Sequence, residues 1–92
     1  PAALWFLEEP SNISTSPGRG VRLSCRVGGA GPPPELGWLL EGAPLELADT
    51  DLAQLPLGDH GWVATSQLRL PSVQVADAGR YRCWAQAGGH RL

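Results

Sequence analysis

The sequence predicts an all-β fold, a two-sheet sandwich of antiparallel strands tied together by one inter-sheet disulfide. The first observation is the stretch 77–83, which joins a sharp corner, a polar anchor and a cysteine. Taken as a strand, Tyr81, Cys83, Ala85 and Ala87 point to one face while Arg80, Arg82, Trp84 and Gln86 point to the other. The second is an unbroken alternation upstream, where Val21, Leu23, Cys25 and Val27 share a face against Arg22, Ser24 and Arg26. A strand with one dry face needs an apolar sheet opposite it, and Cys83 needs a partner thiol there; Cys25 is the only other cysteine. The third is composition. Twelve Gly and nine Pro without a collagen-like period imply many turns, which suits short strands better than helices.

Taken in order, residues 1–10 open with the apolar run at 2–7 and stop at Glu8, Glu9 and Pro10, as a first edge strand or ordered tail would, with a helix also open there. Residues 11–20 are turn-rich and carry Asn12-Ile13-Ser14, an acceptor sequence for N-linked sugar, so Asn12 is a glycosylation candidate. The strand over 21–27 comes next, and Gly28, Gly29, Ala30, Gly31 and the three following prolines are expected to break it. A further strand places Leu36, Trp38 and Leu40 on one face and Leu39 on the other, with Trp38 near enough in sequence to Cys25 to pack over the disulfide. Residues 41–44 read as a turn, and 45–49 as a short edge strand with Leu45 and Leu47 facing opposite to Glu46. The stretch 54–58 suits one more short strand, at an edge because Pro56 cannot serve a central ladder. After the turn at 58–61, Trp62, Ala64, Ser66, Leu68 and Leu70 alternate with Val63, Thr65, Gln67 and Arg69.

The chain of 92 residues is the size of one small domain, 1–92, and such a domain buries a modest fraction of its surface, so a staple matters. Closing a loop of the length between Cys25 and Cys83 stabilises a fold by about 4 kcal/mol in the chain-entropy model. Two cysteines alone do not prove an oxidising compartment, because intracellular domains of this architecture keep reduced thiols at such positions. All seven cations are Arg and the net charge is -2, so there is no basic footprint for nucleic acid. No apolar run approaches the ~20 residues of a membrane span, and Pro1 does not begin a signal peptide, so the chain reads as a processed or excised piece whose own surface makes no membrane contact.

Cys25, Trp38, the pair Leu68 and Leu70 followed by Val73, and then Asp77, Gly79, Tyr81 and Cys83 fall in an order that resembles the immunoglobulin superfamily over nearly the whole chain. The resemblance implies an immunoglobulin-like sandwich of I-set or V-like type. Gly79 permits the corner, the Tyr81 hydroxyl bonds back to the backbone there, and Trp38 caps the disulfide. These residues are scaffold. The family continues into a full last strand, called G, whereas here only Arg91 and Leu92 are placed to begin one; a truncated or missing G strand leaves an unpaired edge.

Within that superfamily, residues 45–49, 56–59, Trp62 and 66–70 are similar to the first immunoglobulin-like domain of the Axl, Tyro and Mer receptor tyrosine kinases. Asn12-Ile13-Ser14 and Gly89-His90 fall where that resemblance places them. These matches include loop and outward residues, which core packing does not dictate. The resemblance implies an extracellular module in the ectodomain of a cell-surface receptor. Its ligand would be a secreted vitamin K-dependent protein, of the growth-arrest-specific or protein S type, docking through a basic laminin G-like domain by edge-strand pairing and charge complementarity, with receptor dimers formed through the ligand. The kinase is not in this chain. Between Glu41 and Asp59 lie Glu41, Glu46, Asp49, Asp51 and Asp59 with no Arg, five of the nine carboxylates, and a basic partner is their natural complement. The candidate ligand-binding residues are therefore Glu46, Leu47, Asp49 and Asp51. Leu40 departs from the pattern, standing where the resemblance places a basic residue. A second candidate interface is Leu39 with Trp84, outward on neighbouring strands, an apolar patch that would suit an adhesion or structural module with homophilic contacts.

Nothing in the sequence points to catalysis or to a cofactor. His60 and His90 both sit beside Gly in turns, and neither has the spacing of a metal site. No His falls on the same face as a candidate nucleophilic Ser, and Glu8 and Glu9 would diverge in a strand. The expected reading is a binding module, not an enzyme.

Overall fold

A computed structural model describes residues 4–45 and 48–92. The first sheet has the strand order β1-β2-β6-β5, built from β1 (Leu4–Glu8), β2 (Val21–Ala30), β5 (Asp49–Leu57) and β6 (Gly61–Leu70). The second has the order β4-β3-β7-β8, from β3 (Glu35–Leu40), β4 (Ala43–Pro44), β7 (Tyr81–Ala87) and β8 (His90–Arg91). All pairings are antiparallel. One 3₁₀ turn, Val75–Asp77, stands between β6 and β7.

The dry faces meet as the alternation requires. Leu23, Cys25 and Val27 of β2 and Trp62, Ala64 and Leu68 of β6 face Trp38 of β3 and Cys83, Ala85 and Ala87 of β7, all buried. Cys25 and Cys83 are disulfide-bonded across the two sheets with their Cα atoms 6.4 Å apart. Trp38 lies in register with Cys83 on the neighbouring strand. Its indole N–H donates to Ser66 Oγ at 3.0 Å, so the Ser66 hydroxyl, buried in the core, has a partner.

The corner before β7 is built from its own backbone and two side chains. Gln74 N–H donates to Asp77 Oδ2 at 2.8 Å, and the Tyr81 hydroxyl donates to the Asp77 carbonyl at 2.6 Å. Gly79 holds a φ of 151°, a backbone conformation that favours glycine, and a Cβ there would also press on Glu41 Oε1 and Leu40 Cδ1 at 2.9 Å. Burial first, and the Asp77 carboxylate second, push the Tyr81 phenol above its ordinary pKa.

Three expectations are corrected. β2 does not break at Gly28 but runs to Ala30, because Gly28 and Gly29 pair with Trp5 and Leu4 on one side and with Val63 and Trp62 on the other. Of the strand expected at 45–49, Leu45 and Ala48 belong to no strand, and Glu46 and Leu47 lie outside the described residues. Glu41 and Gly42, both at positive φ, make a tight turn that brings Ala43 and Pro44 back against Leu40 and Leu39, so the second sheet's edge strand is β4. Leu45 N–H donates to the Trp38 carbonyl at 3.0 Å. By Asp49 the chain has crossed to the first sheet, where the strand expected at 54–58 proves to span Asp49–Leu57. β8 pairs with Gln86 and Ala87, and Leu92 adds two backbone bonds to Ala85.

Candidate functional site: the open edge of the first sheet

β5 is nine residues long and every one of them is exposed. Its register with β6 runs unbroken from Asp49 opposite Arg69 to Leu57 opposite Gly61. Thr50, Leu52, Gln54 and Pro56 share the side on which Leu68, Ser66, Ala64 and Trp62 are buried, while Asp49, Asp51, Ala53, Leu55 and Leu57 turn outward. β6 covers one flank of the strand. No described strand covers the other, so β5 presents a row of backbone N–H and C=O groups to an incoming strand.

The outward side divides into two halves. In the acidic half, Arg69 reaches across from β6, its Nη1 3.4 Å from Asp49 Oδ1 and its Nη2 bonded to Asp51 Oδ2. Asp51 Oδ1 also accepts from the Gln67 N–H at 3.3 Å. In the apolar half, Leu55 is 66% exposed and Leu57 58%. Leu55 lies in register with Val63, Val63 with Gly28, and Gly28 with Trp5. The Trp5 indole lies across Gly28, where a Cβ would fall 2.6 Å from Nε1. An outward apolar strip thus crosses the whole sheet and ends at the open edge.

The residues singled out from the sequence are dispersed. Asp49 and Asp51 lie together on β5. Glu46 and Leu47 lie outside the described residues. Glu41, though exposed, is committed to the chain's own backbone: its carboxylate accepts from Arg80 N–H at 3.0 Å and its own N–H donates to the Arg80 carbonyl at 2.9 Å, pinning the approach to β7. Asp59 is in the β5–β6 turn, on the other side of the leucines from Asp49. Leu40, half-buried, pairs with Ala43 and Tyr81. Asn12 is exposed on the strandless segment between β1 and β2, beside a cleft of about 500 Å³ floored by Leu23, Val73 and Tyr81. Leu39 and Trp84 do face outward on neighbouring strands but are half-buried. The Trp84 ring covers Gly37 and carries the Arg91 guanidinium 5.2 Å from its centroid.

Sequence reasoning missed Arg69, Leu55, Leu57 and Trp5. The leucines were legible as alternate residues flanking Pro56 in an edge strand. Arg69 was not, because its distance in sequence from Asp49 says nothing of the register that makes them opposite.

The Immunoglobulin domain family matches residues 6–86. The tyrosine-protein kinase receptor TYRO3 of Xenopus tropicalis is 35% identical over 97% of the chain, and the advanced glycosylation end product-specific receptor of Mus musculus 33% identical over 98%. The chain spans a small part of these relatives, 10% of the first and 18% of the second. Among solved structures, the N-terminal eight immunoglobulin domains of Down syndrome cell adhesion molecule superpose with a TM-score of 0.74 at 28% identity, over 97% of this chain and 11% of that one. With the inter-sheet disulfide, the tryptophan beside it and the tyrosine-bonded corner in place, the chain belongs to the immunoglobulin domain family, a non-catalytic module, and is homologous to a segment of the receptor tyrosine kinase TYRO3.

Proposed function

We propose that this domain is an extracellular, ligand-binding module of a receptor tyrosine kinase, and that it takes its ligand on the open edge of β5. The observation that carries the reading is the nine-residue exposed strand with one flank that no described strand covers. Strand addition satisfies main-chain groups that water otherwise holds, and side chains on alternate positions supply selectivity. The homology to TYRO3 supports the parent class. The ligand is a secreted, vitamin K-dependent protein of the growth-arrest-specific or protein S type, presenting a basic laminin G-like domain that Asp49 and Asp51, with Glu46 and Leu47 before them, help to attract. Ligand bridging would then bring two receptors together. Exposed Asn12 is the proposed sugar acceptor, on the segment after β1 and away from the β5 flank in the strand order.

The competing use, homophilic adhesion through Leu39 and Trp84, has less to stand on, because Arg91 already occupies the tryptophan face. The test is binding of the laminin G-like region of the growth-arrest-specific ligand to the wild-type domain and to Ala53→Arg. Ala53 is the middle residue of β5, outward and exposed, so the larger side chain obstructs a docking strand without entering the core. Binding by the wild type that Ala53→Arg removes is expected. A folded wild-type domain that binds nothing overturns the proposal.

A further inference from the structure

We infer that the two halves of the β5 edge do different work: Leu55 and Leu57 hold the partner, while Asp49 and Asp51 only steer its approach. The inference rests on the proposed use of this edge and specifies the partner, a protein edge strand whose side chains opposite Leu55 and Leu57 are apolar.

The acidic half is already engaged. Arg69 bridges both aspartates and the Gln67 N–H takes a further oxygen of Asp51, so a basic partner would have to compete with a guanidinium that the fold itself supplies. What remains is the field of two carboxylates against one bound cation, solvent-exposed and open to screening. Such a field acts on encounter more than on residence. Among the described residues, the apolar half has no internal partner of comparable reach. Leu55 and Leu57 stay more than half exposed, although Val63 stands directly behind Leu55 and Trp5 continues the same row over Gly28. A strand added at β5 would place a side chain next to Leu55 on the same face, extending the row outward by one position. The free main-chain row specifies that the occupant is an extended strand; the leucines specify which of its faces is apolar. Pro56 sits between the two leucines and offers no N–H, which sets the ladder's gap inside the apolar half. Side-chain burial must therefore supply what the ladder lacks there.

The experiment measures association and dissociation rates of the laminin G-like region of the growth-arrest-specific ligand on immobilised domain, at low and high NaCl. Three proteins are compared: wild type, Leu55→Asn and the double variant Asp49→Asn with Asp51→Asn. Thermal unfolding of each confirms that exposed positions were changed without loss of the fold. The expected result for Leu55→Asn is a dissociation rate raised about tenfold at unchanged association rate, as for loss of a central apolar anchor. For the aspartate pair it is an association rate lowered roughly threefold, with the salt dependence diminished and dissociation unchanged. Faster dissociation from the aspartate pair together with wild-type behaviour of Leu55→Asn overturns the inference and leaves the edge-binding proposal standing. No binding by folded wild type overturns both. Self-association of the domain that depends on Leu55, with the ligand left unbound, gives the edge to a second copy and also overturns the inference.

Discussion

The outer faces of the two sheets carry the same local device with opposite results. On each, a tryptophan lies flat across a glycine of the adjacent strand: Trp5 over Gly28 in the first sheet, Trp84 over Gly37 in the second. In the second sheet the ring then receives Arg91, and Trp84 ends half-buried. In the first sheet Trp5 remains 46% exposed, in a row with Val63 and Leu55 that runs to an uncovered edge. A tryptophan–glycine pair is thus a neutral tile. What lies over it decides whether it is finished surface or unfinished interface, and only the first sheet leaves it unfinished.

The comparison presupposes two sheets held face to face, and the largest expected effect comes from removing that premise. Replacing both cysteines, Cys25→Ala with Cys83→Ala, should lower the unfolding free energy in urea by about 4 kcal/mol, the loop-closure value, weakening both faces together. A smaller effect separates the faces. A Cβ at Gly37 would fall 2.5 Å from the Trp84 ring and one at Gly28 2.6 Å from the Trp5 ring, so sterically the sites are equivalent. Yet Gly37→Ala must expel a ring held between the sheet and Arg91, and should cost roughly 1–3 kcal/mol by the usual penalty of overpacking. Gly28→Ala displaces a ring already half in solvent and should cost less than half as much; equal losses in chemical denaturation would show that Trp5 is as firmly held as Trp84.

The corner that leads into the second sheet has no counterpart among the described residues of the first. Tyr81→Phe removes its hydroxyl bond to Asp77 and should cost about 1 kcal/mol. The raised phenol pKa gives the sign of the pH dependence: the neutral form is favoured by the fold, so its contribution is complete below the unfolded value of 10.0 and is lost as pH rises through the higher folded value. Alkaline unfolding curves should therefore differ between wild type and Tyr81→Phe below that window and converge above it. The smallest effect is Arg91→Ala, an exposed cation–π contact of about 0.5–1 kcal/mol. Its better readout is iodide or acrylamide quenching of tryptophan fluorescence, which should rise as Trp84 becomes as open as Trp5.

Much of this molecule is legible in its sequence. Alternation placed Cys25, Leu23 and Val27 against Cys83, Ala85 and Ala87, because a strand of period two with one apolar face has one way to point. The spacing of Asp77, Gly79 and Tyr81 marked the corner, since a local hydrogen bond four residues long depends on little else. Pro56 marked an edge strand, because a residue without an N–H cannot serve two neighbours. Reading failed where the answer lay in register or in which sheet a connection joins. Of the residues expected to form a strand at 45–49, Glu46 and Leu47 lie outside the described residues; a two-residue turn puts the second sheet's edge at Ala43–Pro44, and Asp49 pairs in the other sheet.

The sequence by itself determined the dry faces, the disulfide, the corner and the position of an exposed edge, all set by nearest neighbours and by the pairing of two cysteines. Only the tertiary structure decided what that edge is made of. A span with five carboxylates and no arginine reads as acidic along the chain, yet β-pairing lays Arg69 opposite Asp49 and within reach of Asp51, and a turn commits Glu41 to Arg80. Charges act through space over a few ångströms, and sequence separation is no measure of that distance.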